Sequence, residues 1–224
     1  MKLYRVVLLG LLISFLSLGT ANAGMFDSLV QVAGGGSSGG GDLDTFIERA
    51  KLSEELVNNS TKAMFNAIAS DKEKAQLEAQ QKKLNEASDP KEKNAIQREL
   101  TESQLAVVKK EAGNKELQKE ASAWNDKKKG HVANSFFNYA LGALQAGLIV
   151  KDGKALVTNP MNAVKAATKL GEVKDAISSL GGIATGSVTM ISSLKTFMSA
   201  ADISVKLPTS ATETAKPVSD KDID

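Results

Sequence analysis

Residues Val132 to Val150 read VANSFFNYALGALQAGLIV, a run without a charged residue, bounded by Lys129 and Lys151. Phe137, Leu141, Leu144 and Leu148 follow one another at steps of four, three and four, the period of a helix. A helix apolar around most of its circumference has to be covered by neighbours, so this run is expected at the centre of the fold. Asn134, Asn138 and Gln145 interrupt it at offsets of four and seven and form a narrow polar ribbon. The four large side chains are assigned to the side opposite that ribbon, facing the core. Lys151-Asp152-Gly153 is expected to end the helix. Lys127-Lys128-Lys129, the longest like-charged run, reads as the cationic end of the helix before it.

Downstream, Asn159-Pro160 combines a cap residue with a first-turn proline. From there Ala163, Ala166, Leu170, Val173, Ile177, Leu180, Ala184, Ser187, Ile191, Leu194, Met198 and Ala201 alternate steps of three and four without a phase break. The pattern predicts a long seam-bearing helix over Pro160 to Ile203, the partner of the central one. Within it, Ala176 to Leu194 again carries no charge. Gly171, Gly181, Gly182 and Gly186 each cost a helix about 1 kcal/mol relative to Ala, yet none shifts the phase. A continuous helix, or one kinked at Gly181-Gly182, is therefore expected. Gly182 and Gly186, four apart, would let a neighbouring backbone approach closely.

Upstream, Asp71 to Lys129 is different material: 26 of its residues are charged, which favours helix but leaves little to bury. Ser70 with Glu73 has capping-box spacing, and Asp89-Pro90 is a helix start after a tight turn near Ser88. These signals predict a charged helical hairpin, with Ile96, Leu100, Ser103 and Val107 as the face of its second arm. Gly113-Asn114 should break that arm, leaving Leu117, Ala121 and Trp124 as a short apolar stripe. Asp42 to Ala69 is an earlier helix, with Thr45 and Glu48 as its capping pair. Its stripe is Leu43, Ile47, Ala50, Val57, Met64 and Ile68, interrupted by Glu54 and Thr61 and widened by Phe46, Leu56, Ala63 and Ala67.

The chain opens with Lys2 and Arg5, an apolar run from Val6 to Leu18, and Ala21-Asn22-Ala23. That order is expected for a bacterial secretory signal peptide cut before Gly24. The low-complexity tract from Ala33 to Gly41, AGGGSSGGG, reads as a flexible tether. From Leu207 onward Thr, Ser, Pro and charge dominate, which predicts a disordered tail. The expected division is a signal peptide over 1–23, a flexible leader over 24–41, one helical domain over 42–206 and a tail over 207–224.

Charge and residue counts bound the chemistry. The whole chain has 28 Lys+Arg against 26 Asp+Glu, and loss of Lys2 and Arg5 with the signal leaves the two signs balanced. Such a chain has no long-range field for nucleic acid or an anionic bilayer. There is no Cys, hence no disulfide, thiolate or lipidated N-terminus. A single histidine, His131, rules out a bundle di-metal site, which needs two. No serine motif surrounds His131, and neighbouring carboxylates such as Glu54-Glu55 do not face each other on a helix. Trp124 reads as a packing anchor.

The expected fold is all-α: an elongated helical bundle with a charged hairpin over Asp71–Lys129 and an apolar helix pair, Val132–Val150 and Pro160–Ile203. The expected function is that of an exported periplasmic or secreted protein, without catalytic residues, metal, cofactor or evident small-molecule ligand. It would act by binding another protein or by self-assembly. Membrane insertion by 132–150 and 176–194 is the alternative, since each could just span a hydrocarbon core. Asn134, Asn138, Gln145 and the many Ser and Thr residues oppose resting in lipid.

Overall fold

The computed structural model describes residues 43–158 and 169–218. The signal-peptide and leader readings, the helix start at Asn159-Pro160 and the last six residues lie outside the described residues. Among those described there are six helices and no strand: α1 (Leu43–Ile68), α2 (Asp71–Glu86), α3 (Pro90–Ala112), α4 (Lys115–Ser122), α5 (Asp126–Thr158) and α6 (Lys169–Ala200).

The stripe expected on α1 is buried throughout, together with Phe46, Leu56, Ala63 and Ala67. That is the broad apolar face of a bundle helix. Of its two polar interruptions, Thr61 is fully buried, whereas Glu54 is half-buried and meets Arg98 at 3.5 Å and the Ser179 hydroxyl. Thr45 and Glu48 do not cap this helix: it is already formed at Leu43, and both are exposed inside it.

The hairpin is built as its caps dictate. Ser70 accepts from the Glu73 amide, and the Glu73 carboxylate accepts from the Ser70 amide at 2.9 Å, a complete capping box at the start of α2. Burial pushes the Glu73 carboxyl up, but the Lys110 ammonium at 2.7 Å and the two Ser70 bonds outweigh it and hold it at about 2. Asp89 caps α3, with Pro90 in its first turn. The buried face of α3 is Leu100, Thr101, Gln104, Val108, Glu111 and Ala112, while Ile96, Ser103 and Val107 are only half-buried. The face is rotated from the expected one because α3 leans on α1, where the Thr101 hydroxyl donates to Asn58 at 3.0 Å. The chain breaks at Gly113-Asn114 as expected, and Asn114 caps α4. Beyond α4, Trp124 packs on Phe197 with ring centroids 6.3 Å apart.

α5 is longer than its uncharged run at both ends. Lys127 to Lys129 lie in its first turn and do not close the preceding helix; Asn125 accepts from the Lys128 amide at 2.9 Å. Lys151-Asp152-Gly153 does not end it either. A Cβ on Gly153 would come within 2.6 Å of the Phe46 ring and 2.8 Å of Ile177, so this glycine answers a close approach of three helices. Gly142, about three turns earlier, answers a close approach of α1 alone, where a Cβ would meet Val57 at 2.7 Å. Here the Ser53 hydroxyl of α1 donates to the Gly142 carbonyl at 3.0 Å.

α6 runs unbroken through Gly181-Gly182 and buries Val173, Leu180, Ser187, Leu194 and Met198 of its seam. It ends in a Schellman turn. Asp202 takes a left-handed φ of 53°, and the Ile203 amide donates to the Met198 carbonyl at 2.8 Å. Ile203 and Met198 then share one apolar cluster.

α1, α5 and α6 form the core. α5 runs antiparallel to the other two: Ala63 lies by His131 and Phe46 by Gly153, and the Ser187 hydroxyl bonds Tyr139 at 3.0 Å. α1 and α6 are parallel, linked by Asp44 to Lys169 near one end and Glu54 to Ser179 further along. One apolar cluster fills the three-helix end around Phe46, Ile149, Val173 and Leu180. A larger one, around Met64, Phe136, Tyr139 and Phe197, takes in Val108 of α3 and Ala121 of α4. The hairpin lies along the bundle through α3, and α2 packs chiefly on α3.

Candidate interaction surfaces

The one histidine is a core residue. His131 is buried in the second turn of α5, with Nε2 3.4 Å from the Ala63 carbonyl and Nδ1 without a hydrogen-bond partner. The nearby Ser135 hydroxyl donates to the His131 backbone carbonyl, not to its ring. Glu54 and Glu55 diverge: Glu54 turns to Arg98 and Ser179, while burial, then the Glu54 charge, raises the Glu55 carboxyl against the opposing pull of Lys51. Among the described residues, no group of three or more His, Cys, Asp or Glu side chains could hold a metal ion.

Two surfaces remain. The first is the outer side of α6. Ser178, Gly182, Thr185, Gly186, Val188, Thr189 and Ser192 are exposed there, and the stretch contributes no charge. Val188 is 71% exposed. A Cβ built on Gly171, Gly181, Gly182 or Gly186 would meet nothing within 4 Å. The close approach expected at Gly182 and Gly186 is therefore absent among the described residues, where these glycines meet nothing. The 30-residue stretch Gly171–Ala200 is long and apolar enough to cross a membrane, and only 22% of its most apolar window is buried.

The second surface is the polar ribbon of α5, and there the structure departs from the expected sides. At 100° per residue Phe137, Leu141, Leu144 and Leu148 stand roughly 40–100° from the ribbon, beside it and not opposite. Phe137 and Leu141 are nonetheless buried against Leu56 of α1, while Phe136 and Tyr139 face the larger cluster. Leu144 and Leu148 are 37% and 46% exposed, whereas Asn138 and Gln145 are buried.

The cover is the chain's own C-terminal segment. Where the sequence predicts a disordered tail, residues 207–218 lie against α5: they turn over Ser210–Glu213 and run on without regular secondary structure through 214–218. The Asn138 carboxamide donates to the Lys216 carbonyl at 2.8 Å and accepts from the Lys216 amide at 2.7 Å. Asn134 donates to the Pro217 carbonyl at 3.0 Å and Gln145 to the Ala211 carbonyl at 2.9 Å. The segment thus runs antiparallel to α5. Ala215 rests on Leu56, Phe137 and Leu141, and the Lys216 ammonium sits 4.6 Å above the Phe137 ring. The ribbon was visible in the sequence as three amides on one line. Its partner was not, because a Thr-, Ser- and Pro-rich segment carries no apolar period to announce a contact.

No protein-family profile, curated protein or solved structure matches this chain.

Proposed function

We propose that this is an exported helical protein without catalytic chemistry, which works by binding another protein or a second copy of itself through the outer face of α6. The observation that carries the reading is the exposed, uncharged surface between Ala176 and Leu194 with glycines that face open space. An exposed helix is ordinarily lined with charge, and each of these glycines costs about 1 kcal/mol relative to Ala. Packing among the described residues does not require them, whereas a close-packed partner would. A photo-crosslinking residue placed at Val188, in cells exporting the chain, tests this. Adducts of protein mass are expected at Val188 and not at Lys82, a control on the exposed side of α2. An absence of protein adducts at Val188 rejects the reading.

The second reading, membrane insertion, is favoured by one observation: α6 has the length and hydropathy of a spanning helix and little of it is buried. α5 does not support it in the same way, since the large side chains of 132–141 are committed to the core. Serine, threonine and glycine make up most of the exposed face of α6, which suits a protein partner better than acyl chains. Flotation of the mature chain with liposomes, together with lipid adducts at Val188, would decide for the membrane.

A further inference from the structure

We propose that the ribbon on α5 is a binding groove for extended polypeptide, held in this structure by the protein's own residues 211–217 and able to take an extended segment of another protein in their place. This is separate from the α6 face, and its test does not depend on what that face binds.

The chemistry of recognition points to a generic ligand. All four hydrogen bonds from the ribbon go to the backbone of the segment, none to its side chains. A carboxamide presents a donor and an acceptor side by side, as a peptide unit does. Asn138 uses both on one residue, Lys216, which is how a neighbouring strand engages a hydrogen-bonded residue in an antiparallel pair. The groove therefore reads extended backbone and little of its sequence. This is strand addition performed by side chains on a helix.

The resident segment also fits the groove incompletely. Gln145 is only 4% exposed, yet its Oε1 has no hydrogen-bond partner, while its Nε2 is bonded to Ala211. A buried carboxamide used on one side only is aimed at a backbone N–H that the segment does not supply. The apolar floor of Leu56, Phe137 and Leu141, by contrast, is fully covered, with Ala215 packed on it and the Lys216 ammonium above Phe137. A segment with an N–H opposite Gln145 would complete the fit.

Release of the segment leaves the core intact. Ile203 is buried beside Met198, and Val205 and Leu207 pack on the same cluster. After Pro208 the chain turns, with the Glu213 carboxylate accepting from the Thr209 and Ser210 amides. Residues 214–217 therefore hang from a fixed anchor by a short local turn over Thr209–Glu213, and can leave α5 without unpacking α6.

The test uses the full mature chain and a fluorescein-labelled peptide with the sequence of residues 208–218, PTSATETAKPV. Lys216→Pro in the protein removes the amide that Asn138 accepts from and frees the groove without altering its walls. By anisotropy the peptide should bind this variant roughly tenfold more tightly than the wild-type chain, the equivalent of about one hydrogen bond of competition. Adding Asn138→Leu to Lys216→Pro should abolish binding. A peptide N-methylated at the position of Lys216 should lose roughly tenfold, whereas one whose Thr and Ser side chains are permuted should bind as the parent does. Circular dichroism and melting of each variant confirm folding. Failure of the peptide to bind a folded Lys216→Pro chain, or equal binding of the N-methylated peptide, overturns the proposal. So does a wild-type dimer that Lys216→Pro converts to monomer, since the natural occupant would then be a second copy's tail.

Discussion

α5 and α6 each contain an uncharged stretch of the same length, Val132 to Val150 and Ala176 to Leu194, and the bundle treats them in opposite ways. From Val132 to Ala143 most of α5 is buried, enclosed by α1 and α6 on one side and by residues 211–217 on another. α6 buries one seam and leaves the rest of its circumference in solvent. The absence of charge is therefore not what decides burial. Volume is: α5 spreads Phe136, Phe137, Tyr139 and Leu141 around the helix, so any orientation exposes a large apolar side chain unless something covers it. α6 gathers its large buried side chains on one face, at Val173, Leu180, Met190, Leu194, Phe197 and Met198, and the exposed part of its uncharged stretch is mostly Gly, Ser and Thr. Burying a large side chain stabilises by about 1.5–3 kcal/mol, whereas an outer face of Gly and Ser returns little to any neighbour inside the chain.

The largest expected effect falls on the seam common to both helices. Leu194 is completely buried, so Leu194→Asp places an unpaired charge in the core and should cost about 4 kcal/mol or more, or prevent folding. Leu144→Asp, on the exposed flank of α5, should cost about 1 kcal/mol or less. Denaturant melts of the two variants would measure the difference directly. Equal losses would mean that Leu144 is covered in solution, and the contrast drawn between the two helices would fail.

Leu144 also shows where the sequence stops being informative. Its spacing from Phe137 and Leu141 is sound helical spacing, and the helix is there. Among the described residues no element covers that flank, and a periodic pattern reports which residues share a face without reporting what the face meets. Local signals fared better because their chemistry is complete within a few residues. Ser70 with Glu73, Asp89 with Pro90 and Gly113-Asn114 each act where the sequence places them. Gly153 was legible only as a glycine. A stop and a close approach use the same residue, and the distinction lies in Phe46 and Ile177, far away in the chain. The groove was half legible: the amides of Asn134, Asn138 and Gln145 stood out, but their backbone partners carry no sequence signature.

Glycine gives the next sharpest test, since the two helices use it with opposite sign. In α5, Gly153→Ala would drive a methyl against the Phe46 ring and Ile177, and Gly142→Ala would drive one against Val57. Each should lose about 1–3 kcal/mol from overpacking, reduced by the better helix propensity of Ala. Gly153 is the more severe site because two side chains from two helices have to move. Melting temperatures of the single variants, compared with Gly147→Ala on the open side of the same helix, separate overpacking from propensity. If all three shifted alike, the close approach between α1 and α5 would not be as tight as it is drawn.

The smallest expected effect is also the most diagnostic. Gly182→Ala and Gly186→Ala add a methyl where nothing lies within 4 Å, so the isolated chain should gain up to about 1 kcal/mol at each. The gain comes from a restricted unfolded state and a better-shielded helix backbone, and it should appear as a raised melting midpoint at low protein concentration. A partner packed against α6 would reverse the sign for binding, because the same methyls would then hold the two backbones apart. Stability up and protein adducts at Val188 down, in the same variant, is the combination expected if the glycines are kept for an interface. Stability up with adducts unchanged would leave the glycines outside any contact and move the interface to the Val188 side of the helix. A loss of stability would show that α6 is covered within the chain itself, and that the difference between the two uncharged helices is smaller than their exposures imply.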